Sequence, residues 1–172
     1  SKTIAAVAIV SVALFGSANA KTLKIETHFT ASSPNGEVAA QFAKNVEMFS
    51  GGSLKVEMFY SSSVTGKSAE VFNSAQTGII DCDMTGAGYQ TGKNAAFQFA
   101  GDVMGGYDNP YQQYEFLNFP GAQEAVDALY NKYGMTLIGW WIPGHESLIS
   151  SRPIPDVASL KDFKFRSPPG ME

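Results

Sequence analysis

Cysteine and histidine are scarce in this sequence of 172 residues, which contains one cysteine and two histidines. Cys82 alone can neither close an internal disulfide bond nor build a structural zinc site. No Gly-x-Ser-x-Gly motif is present to carry a nucleophilic serine, and the only histidines are His28 and His145. We interpret Cys82 as a buried strand residue and His28 as a residue on the polar face of the first strand. Nucleophilic catalysis lacks support in this sequence.

Net charge is low, and long apolar runs are missing after Lys21. Twelve Lys and Arg residues against sixteen Asp and Glu residues give a formal net charge of -4, which does not favour nucleic acid as a partner. After Lys21 no stretch approaches the roughly 20 apolar residues that a membrane-spanning helix needs. The composition is that of an ordinary globular protein.

The first twenty residues have the pattern of a secretory signal peptide. Lys2 precedes an apolar run from Ile4 to Phe15, which is too short to span a membrane. Ala18-Asn19-Ala20 then supplies the small residues that a signal peptidase needs. We predict a signal peptide at residues 1–20 and a mature protein that begins near Lys21. A retained N-terminal membrane anchor is the alternative.

Hydrophobic periodicity predicts alternating strands and helices along the remaining chain. Strands are predicted at 23–29, 54–59, 79–84, 135–141 and 163–166, and helices at 34–49, 67–77, 111–118, 122–133 and 156–162. Such alternation is typical of an α/β fold with a largely parallel sheet. We expect two α/β lobes with a cleft: a first lobe at 21–144, and the crossover and start of a second lobe at 145–172. The sequence is expected to stop within that second lobe.

Three segments resemble known phosphate-binding or zinc-protease motifs, but each lacks a residue or a spacing that the motif requires. Ser61 to Ser68 ends like a phosphate-binding loop, but Ser61 stands where a glycine must let the backbone approach phosphate. Gly88 to Asn94 has one residue too few between its glycines. His145-Glu146 begins a zinc-protease pattern, but Ile149 replaces the second histidine. Nucleotide binding and metalloprotease activity are therefore not indicated.

Arg166 is the candidate binding residue that the residue pattern itself indicates. It ends the predicted strand 163–166 and precedes Ser167-Pro168-Pro169-Gly170, so a guanidinium is expected beside a rigid loop. That arrangement suits two-pronged binding of a carboxylate. A surface arginine paired with Asp162 is the alternative from spacing alone.

The order of several segments resembles the solute-binding proteins of TRAP (tripartite ATP-independent periplasmic) transporters, closest to the branch that binds 2-oxo acids and monocarboxylates. The segments are Gly51 to Glu57, Glu70 to Asp81, Ser151 to Ile154 and Leu160 to Arg166. The last is the most specific, although Asp162-Phe163 shortens the family's usual Asp-Leu-Lys-Gly run. The resemblance covers essentially the whole mature segment, and it implies the two-lobed fold of periplasmic binding proteins (type II-like).

The resemblance implies roles for several residues. Arg166 would pair with the ligand carboxylate, and Arg152 would be a second arginine facing the ligand or a structural residue. Glu146 stands where an amide is common, so it implies a ligand hydroxyl or a cation that bridges it to the ligand. Tyr89 would cover the ligand, and Trp140 and Trp141 would wall the other side.

The resemblance also implies partners and a location. The protein would be a periplasmic receptor for a small organic acid, acting with the small and large TRAP membrane subunits and without catalysis. No cofactor is implied, apart from sodium or calcium that could bridge the ligand, and a homodimer stays open. A receptor of ABC type, a sensory domain and an exported enzyme are the alternatives.

Overall fold

A computed structural model describes residues 20–101, 103, 105–142, 147–164 and 166–167. Residues 1–19 of the predicted signal peptide, Glu146 and most of the predicted crossover at 143–147 lie outside these ranges. No helix in the described part of the chain is long and apolar enough to cross a membrane. The boundary between two lobes stays a prediction.

The described chain is an α/β fold built on a small parallel sheet, as predicted. Three strands pair in the order β2-β1-β3, and both pairings are parallel. The strands are β1 (Lys21–Thr27), β2 (Leu54–Phe59) and β3 (Cys82–Met84). The α-helices are α1 (Pro34–Phe49), α2 (Val71–Gln76), α3 (Pro110–Asn118) and α4 (Pro120–Asn131). Short 3₁₀ helices span Ser68–Glu70, Ala87–Gln90, Ala95–Ala100 and Val157–Leu160.

Helix α1 begins and ends where the sequence signals place it. The Ser33 hydroxyl accepts a hydrogen bond from the backbone N–H of Gly36 at 3.1 Å, which caps the first turn. Gly51 follows the helix at a φ of 61°, and Gly52 N–H donates to the carbonyl of Glu47. The Glu47 side chain accepts from the N–H of Val56 at 2.9 Å and so ties α1 to β2.

An aromatic core joins α2, α4 and the 3₁₀ helix 95–100. Phe72 and Phe97 are fully buried, and their rings meet edge to face with centroids 5.8 Å apart. Val126 and Leu129 of α4 complete the buried cluster. Trp140 packs against this cluster from the irregular segment after α4. Burial of these rings holds the helices against each other.

Residues 135–141 are not a strand, so that prediction is wrong. Met135 and Leu137 do face the core cluster, which explains their alternation. Their backbone joins no ladder in the described structure, and the N–H of Leu137 donates instead to the Asp127 carboxylate at 3.2 Å. Alternation reports which side chains are buried, but it does not supply a neighbouring strand.

Other elements also differ from the predicted ones. The helix predicted at 156–162 is only the 3₁₀ helix Val157–Leu160, and the strand predicted at 23–29 is β1 and ends at Thr27. The strand predicted at 79–84 shortens to β3, because the N–H groups of Ile79 and Ile80 bond to the Ser74 carbonyl as part of the end of α2. The strand predicted at 163–166 is absent at the positions described there. Cys82 lies on β3 as expected, but it is half-buried rather than buried.

The variant Gly36→Ala tests how closely the first turn of α1 packs against the preceding chain. A Cβ atom at Gly36 would collide with the carbonyl oxygen of Thr30, so Gly36→Ala must shift the first turn. We expect a loss of about 1–3 kcal/mol in the free energy of unfolding, measured by urea titration. Gly121→Ala is the matched control, because it lies in the first turn of α4 with only the Phe119 ring nearby, at 3.9 Å. Equal stability of the two variants would contradict this assignment.

Candidate functional site

The candidate site lies at the carboxyl edge of the parallel sheet. β1 is the central strand, and its last three residues, Ile25 to Thr27, are buried. His28 and Phe29 follow immediately, at the point where β1 leaves the sheet. Ligands of open α/β sheets bind in the crevice outside the carboxyl ends of the strands. Residues that follow β1 and β3 are therefore placed where a ligand can reach them.

Four aromatic or imidazole rings meet at this edge, and we call them the edge cluster: His28, Phe29, Tyr89 and Trp141. The His28 ring lies 4.0 Å from that of Phe29 and 5.4 Å from that of Tyr89, the latter edge to face. Phe29 and Trp141 are 5.6 Å apart. These contacts bring together residues that follow β1, a residue of the 3₁₀ helix after β3 and a residue of the segment after α4.

Tyr89 is positioned by the 3₁₀ helix that follows β3. Its N–H donates to the carbonyl of Gly86 at 3.1 Å. The next residue, Gln90, is buried, and its side-chain amide donates to the carbonyl of Ala69 at 3.2 Å. The hydrogen bond of Gln90 thus anchors this turn to the chain at Ala69. The half-buried Tyr89 ring packs against His28.

Arg166 lies close enough to the edge cluster to act on it electrostatically. Burial of the imidazole, and then the positive charge of Arg166, lower the pKa of His28 below its ordinary value of 6.5. Arg166 itself is exposed. It forms no salt bridge with Asp162, although both residues are described. The alternative pairing with Asp162 is therefore not seen.

A basic cleft of about 460 Å³ adjoins Arg166. Its lining brings together three cationic side chains, those of Arg152, Lys164 and Arg166, with Asp162 as the acidic one. The Arg152 guanidinium lies over the Phe163 ring at 4.6 Å, so part of its surface is used in packing. An excess of positive charge at such a cleft favours an anionic ligand.

The predicted site residues separate into two groups. Tyr89 and Trp141 join the edge cluster, and Arg166 lies near it, while Arg152 lines the cleft with Arg166. Trp140 points elsewhere, against the aromatic core. Glu146 lies outside the described residues. Among the residues that are described, no three His, Cys, Asp or Glu side chains are grouped to hold a metal.

The sequence interpretation did not include His28 among the candidate site residues, although the structure places it in the edge cluster. Its position in the alternating pattern placed it on the polar face of a strand, but β1 ends one residue earlier. A usable signal was present, since a histidine directly after the central strand of a parallel sheet lies at the ligand-binding edge.

Two acidic residues, the fully buried Glu26 and the half-buried Asp83, lie at this end of the sheet. Glu26 is fully buried, and its Oε1 accepts from the N–H groups of Val64 at 2.7 Å and Thr65 at 3.3 Å. It thereby holds the loop after β2. Its Oε2 is buried and has no hydrogen-bond partner in the described part of the chain. Asp83 is its register partner on β3 and accepts from the Thr85 hydroxyl at 2.7 Å.

Asp83 is expected to make stability pH-dependent. The residue is half-buried, but its carboxyl group is enclosed, and burial raises its pKa to about 6 despite the hydrogen bonds from Thr85. The unfolded chain has the ordinary value of 3.8. The stabilisation of the protonated form is therefore complete below the unfolded value and is lost as the pH rises through about 6.

Asp83→Asn removes this dependence. We expect the unfolding free energy of the wild type, relative to Asp83→Asn, to fall by roughly 1–3 kcal/mol from about pH 4 to about pH 7. Urea titrations across this range measure it. Asp81→Asn is the control, since Asp81 is exposed and its side chain accepts from the N–H of Lys24. If the unfolding free energy of the wild type, relative to Asp81→Asn, fell by the same amount over this pH range, the prediction would be contradicted.

Comparison with known proteins identifies the family. A curated solute-binding protein of Roseobacter denitrificans is 25% identical over 169 residues, which cover 97% of this chain and 51% of that protein. The chain thus spans about half the length of this relative. A TRAP periplasmic solute-binding protein from Rhodobacter sphaeroides, solved in an open form without ligand, is 26% identical with a TM-score of 0.64, over 69% of this chain and 37% of that one.

A TRAP periplasmic solute-binding protein from Pseudoalteromonas atlantica, solved with sodium and pyruvate, has the same fold. Its TM-score is 0.61 at 20% identity, over 67% of this chain and 35% of that one. The sequence pattern of family 7 of the bacterial extracellular solute-binding proteins, the DctP family, matches residues 25–171. Because this match covers most of the sequence, the chain belongs to the DctP family of bacterial extracellular solute-binding proteins.

Proposed function

We propose that the protein is the extracytoplasmic solute receptor of a TRAP transporter and binds a small organic acid through Arg166. The observation that carries this proposal is the position of Arg166. Its guanidinium is free of Asp162, lines a basic cleft and acts electrostatically on His28 at the carboxyl edge of the sheet. A planar guanidinium in this setting suits a two-pronged bond to a carboxylate.

The surroundings of Arg166 favour a compact acid of the 2-oxo or related monocarboxylate class. Arg152 and Lys164 add positive charge in the same cleft, and Phe163 supplies an aromatic ring to its lining. A few charged groups beside apolar surface are typical of sites for small ligands. The pyruvate in the Pseudoalteromonas relative is of the same chemical class.

A cation that accompanies the ligand needs oxygen ligands. Glu146 would supply a carboxylate, and sodium or calcium prefers oxygen ligands of this kind. The relative solved with pyruvate also contains sodium. We therefore propose that the ligand is bound together with a sodium or calcium ion that Glu146 contacts, and that no other cofactor takes part.

The receptor would act by closure of two lobes around the acid. We propose residues 21–144 as most of the first lobe and 145–172 as the crossover and start of the second, with 1–20 removed on export to the periplasm. A ligand shifts such a closure only by its different affinity for the open and closed states. The closed form would then deliver the acid, chemically unchanged, to the TRAP membrane subunits.

A ligand screen tests this function. The full-length mature protein is titrated with small mono- and dicarboxylates, each with and without calcium and with sodium varied, while thermal unfolding is followed. An acid at 100 times its Kd should stabilise the protein by about 2.7 kcal/mol, which raises the Tm by a few degrees. No shift with any carboxylate would contradict the proposal, and consumption of the acid would indicate an enzyme.

Arginine variants locate the acid. We expect Arg166→Ala to abolish the shift and Arg166→Lys to weaken binding at least tenfold, because lysine keeps the charge but loses the planar fork. Arg152→Ala should weaken binding less, since Arg152 is partly engaged by Phe163. Lys132→Ala, on the exposed end of α4, is the charge control and should bind normally. Normal binding by Arg166→Ala would place the acid elsewhere.

A further inference from the structure

We propose that Arg152 is a positioning residue, which joins the two walls of the basic cleft by stacking on Phe163 and does not itself contact the bound acid. This inference rests on the proposed function, because it assumes that the cleft beside Arg166 takes the acid. It assigns Arg152 one of the two roles that the family resemblance left open. It also gives Phe163 a role in binding that the sequence patterns did not indicate.

The basic cleft lies between two segments of the chain. Residues 149–152 line one wall, and residues 162–164 with Arg166 line the other. No strand is formed in the described segment 147–164, so no sheet ladder joins the two walls there. Side-chain contacts therefore have to hold the walls together in this segment.

The stack of Arg152 on Phe163 is such a contact. The guanidinium carbon of Arg152 lies 4.6 Å from the centroid of the Phe163 ring, a distance at which a cation and an aromatic face attract each other. Asp162 lines the same cleft, yet no salt bridge joins it to Arg152, and both residues are described. The ring of the opposite wall, and not the acidic side chain of the lining, is therefore the partner of this guanidinium in the cleft.

The backbone at both ends of the stack is held locally. The Ser150 hydroxyl accepts from the N–H of Arg152 at 3.1 Å and donates to the Arg152 carbonyl at 2.7 Å. Pro153 further restricts Arg152 to extended conformations. On the other wall, the N–H of Phe163 donates to the Leu160 carbonyl at 3.0 Å. Each partner is thus fixed where its side chain leaves the backbone, so the stack couples the position of one wall to that of the other.

The position of the Phe163 ring matters for Arg166, which follows it by three residues. A two-pronged bond to a carboxylate depends on the orientation of the guanidinium plane, and a small displacement weakens it. Loss of the stack would let the two walls move apart, which lowers affinity without removing any bond to the acid. A cation–aromatic contact at an exposed site is weak, so we expect a change of about two- to fivefold in Kd.

The test uses pyruvate as the probe. The full-length mature protein is titrated by calorimetry at physiological ionic strength, where an exposed charge is largely screened beyond about 8 Å. We expect Arg152→Ala to raise the Kd about two- to fivefold. Arg152→Met should bind within about twofold of the wild type, because a thioether also packs favourably on an aromatic ring but carries no charge. Equal losses in both variants would mean that the charge of Arg152 binds the acid, and would overturn the inference.

Variants of Phe163 test the other partner of the stack. Phe163→Ala should raise the Kd for pyruvate by the same factor of about two to five, and Arg152→Ala should add nothing further in that background. Phe163→Tyr is the matched control, because it keeps the ring and should bind like the wild type. If the losses multiplied in the double variant, the two residues would act independently, which contradicts this role for Arg152.

A measurement without ligand separates this inference from the proposed function. Amide hydrogen exchange of the free protein reports on the bond from the N–H of Phe163 to the Leu160 carbonyl. We expect this exchange to become about two- to fivefold faster in Arg152→Ala and to stay near the wild-type rate in Arg152→Met. An unchanged rate in Arg152→Ala would overturn the inference even if pyruvate does not bind. Failure of every carboxylate in the screen contradicts the receptor function instead.

Discussion

The parallel pairing of β1 with both neighbouring strands is the constraint on which the remaining structure depends. β1 bonds to β2 along most of its length and to β3 over its last three residues, where Ile25 pairs with Cys82 and Thr27 with Met84. Parallel strands all end at the same edge of the sheet, so this pairing brings the residues after β1 and β3 together. His28 and Tyr89 meet for that reason, although sixty residues of sequence separate them.

This arrangement encloses two carboxyl groups, those of Glu26 and Asp83. Both carboxylates are enclosed beside each other at the end of the sheet, where a charge is expensive. The hydrogen bonds that Glu26 accepts from the N–H groups of Val64 and Thr65 offset part of the free-energy penalty of burying its side chain. The loop after β2, in which Ser61 and Ser62 adopt a positive φ, is thus held by the Glu26 side chain together with the backbone hydrogen bonds that Ser61 and Ser62 donate to the carbonyls of Phe29 and Thr27.

Sequence patterns predicted the elements that local signals define. The Ser33 cap and the Gly51-Gly52 stop delimit α1, and alternation marks β2 without error at either end. The prediction for 135–141 was wrong, because alternation reports only which side chains are buried. Whether a segment pairs with another strand depends on the tertiary structure, and this segment forms no such pair in the described residues. Arg166 could be named from its motif, but its action on His28 could not, since no pattern in the sequence relates residues that lie 138 positions apart.

The two tryptophans of the chain are adjacent, yet they report on different parts of the molecule. Trp140 packs on the aromatic core, whereas Trp141 lies beside Phe29 in the edge cluster. Indole fluorescence depends on the immediate surroundings of each ring. The protein therefore contains one optical reporter of its folded interior and one of the edge where a ligand would arrive. A variant with either tryptophan replaced would let the two signals be followed separately.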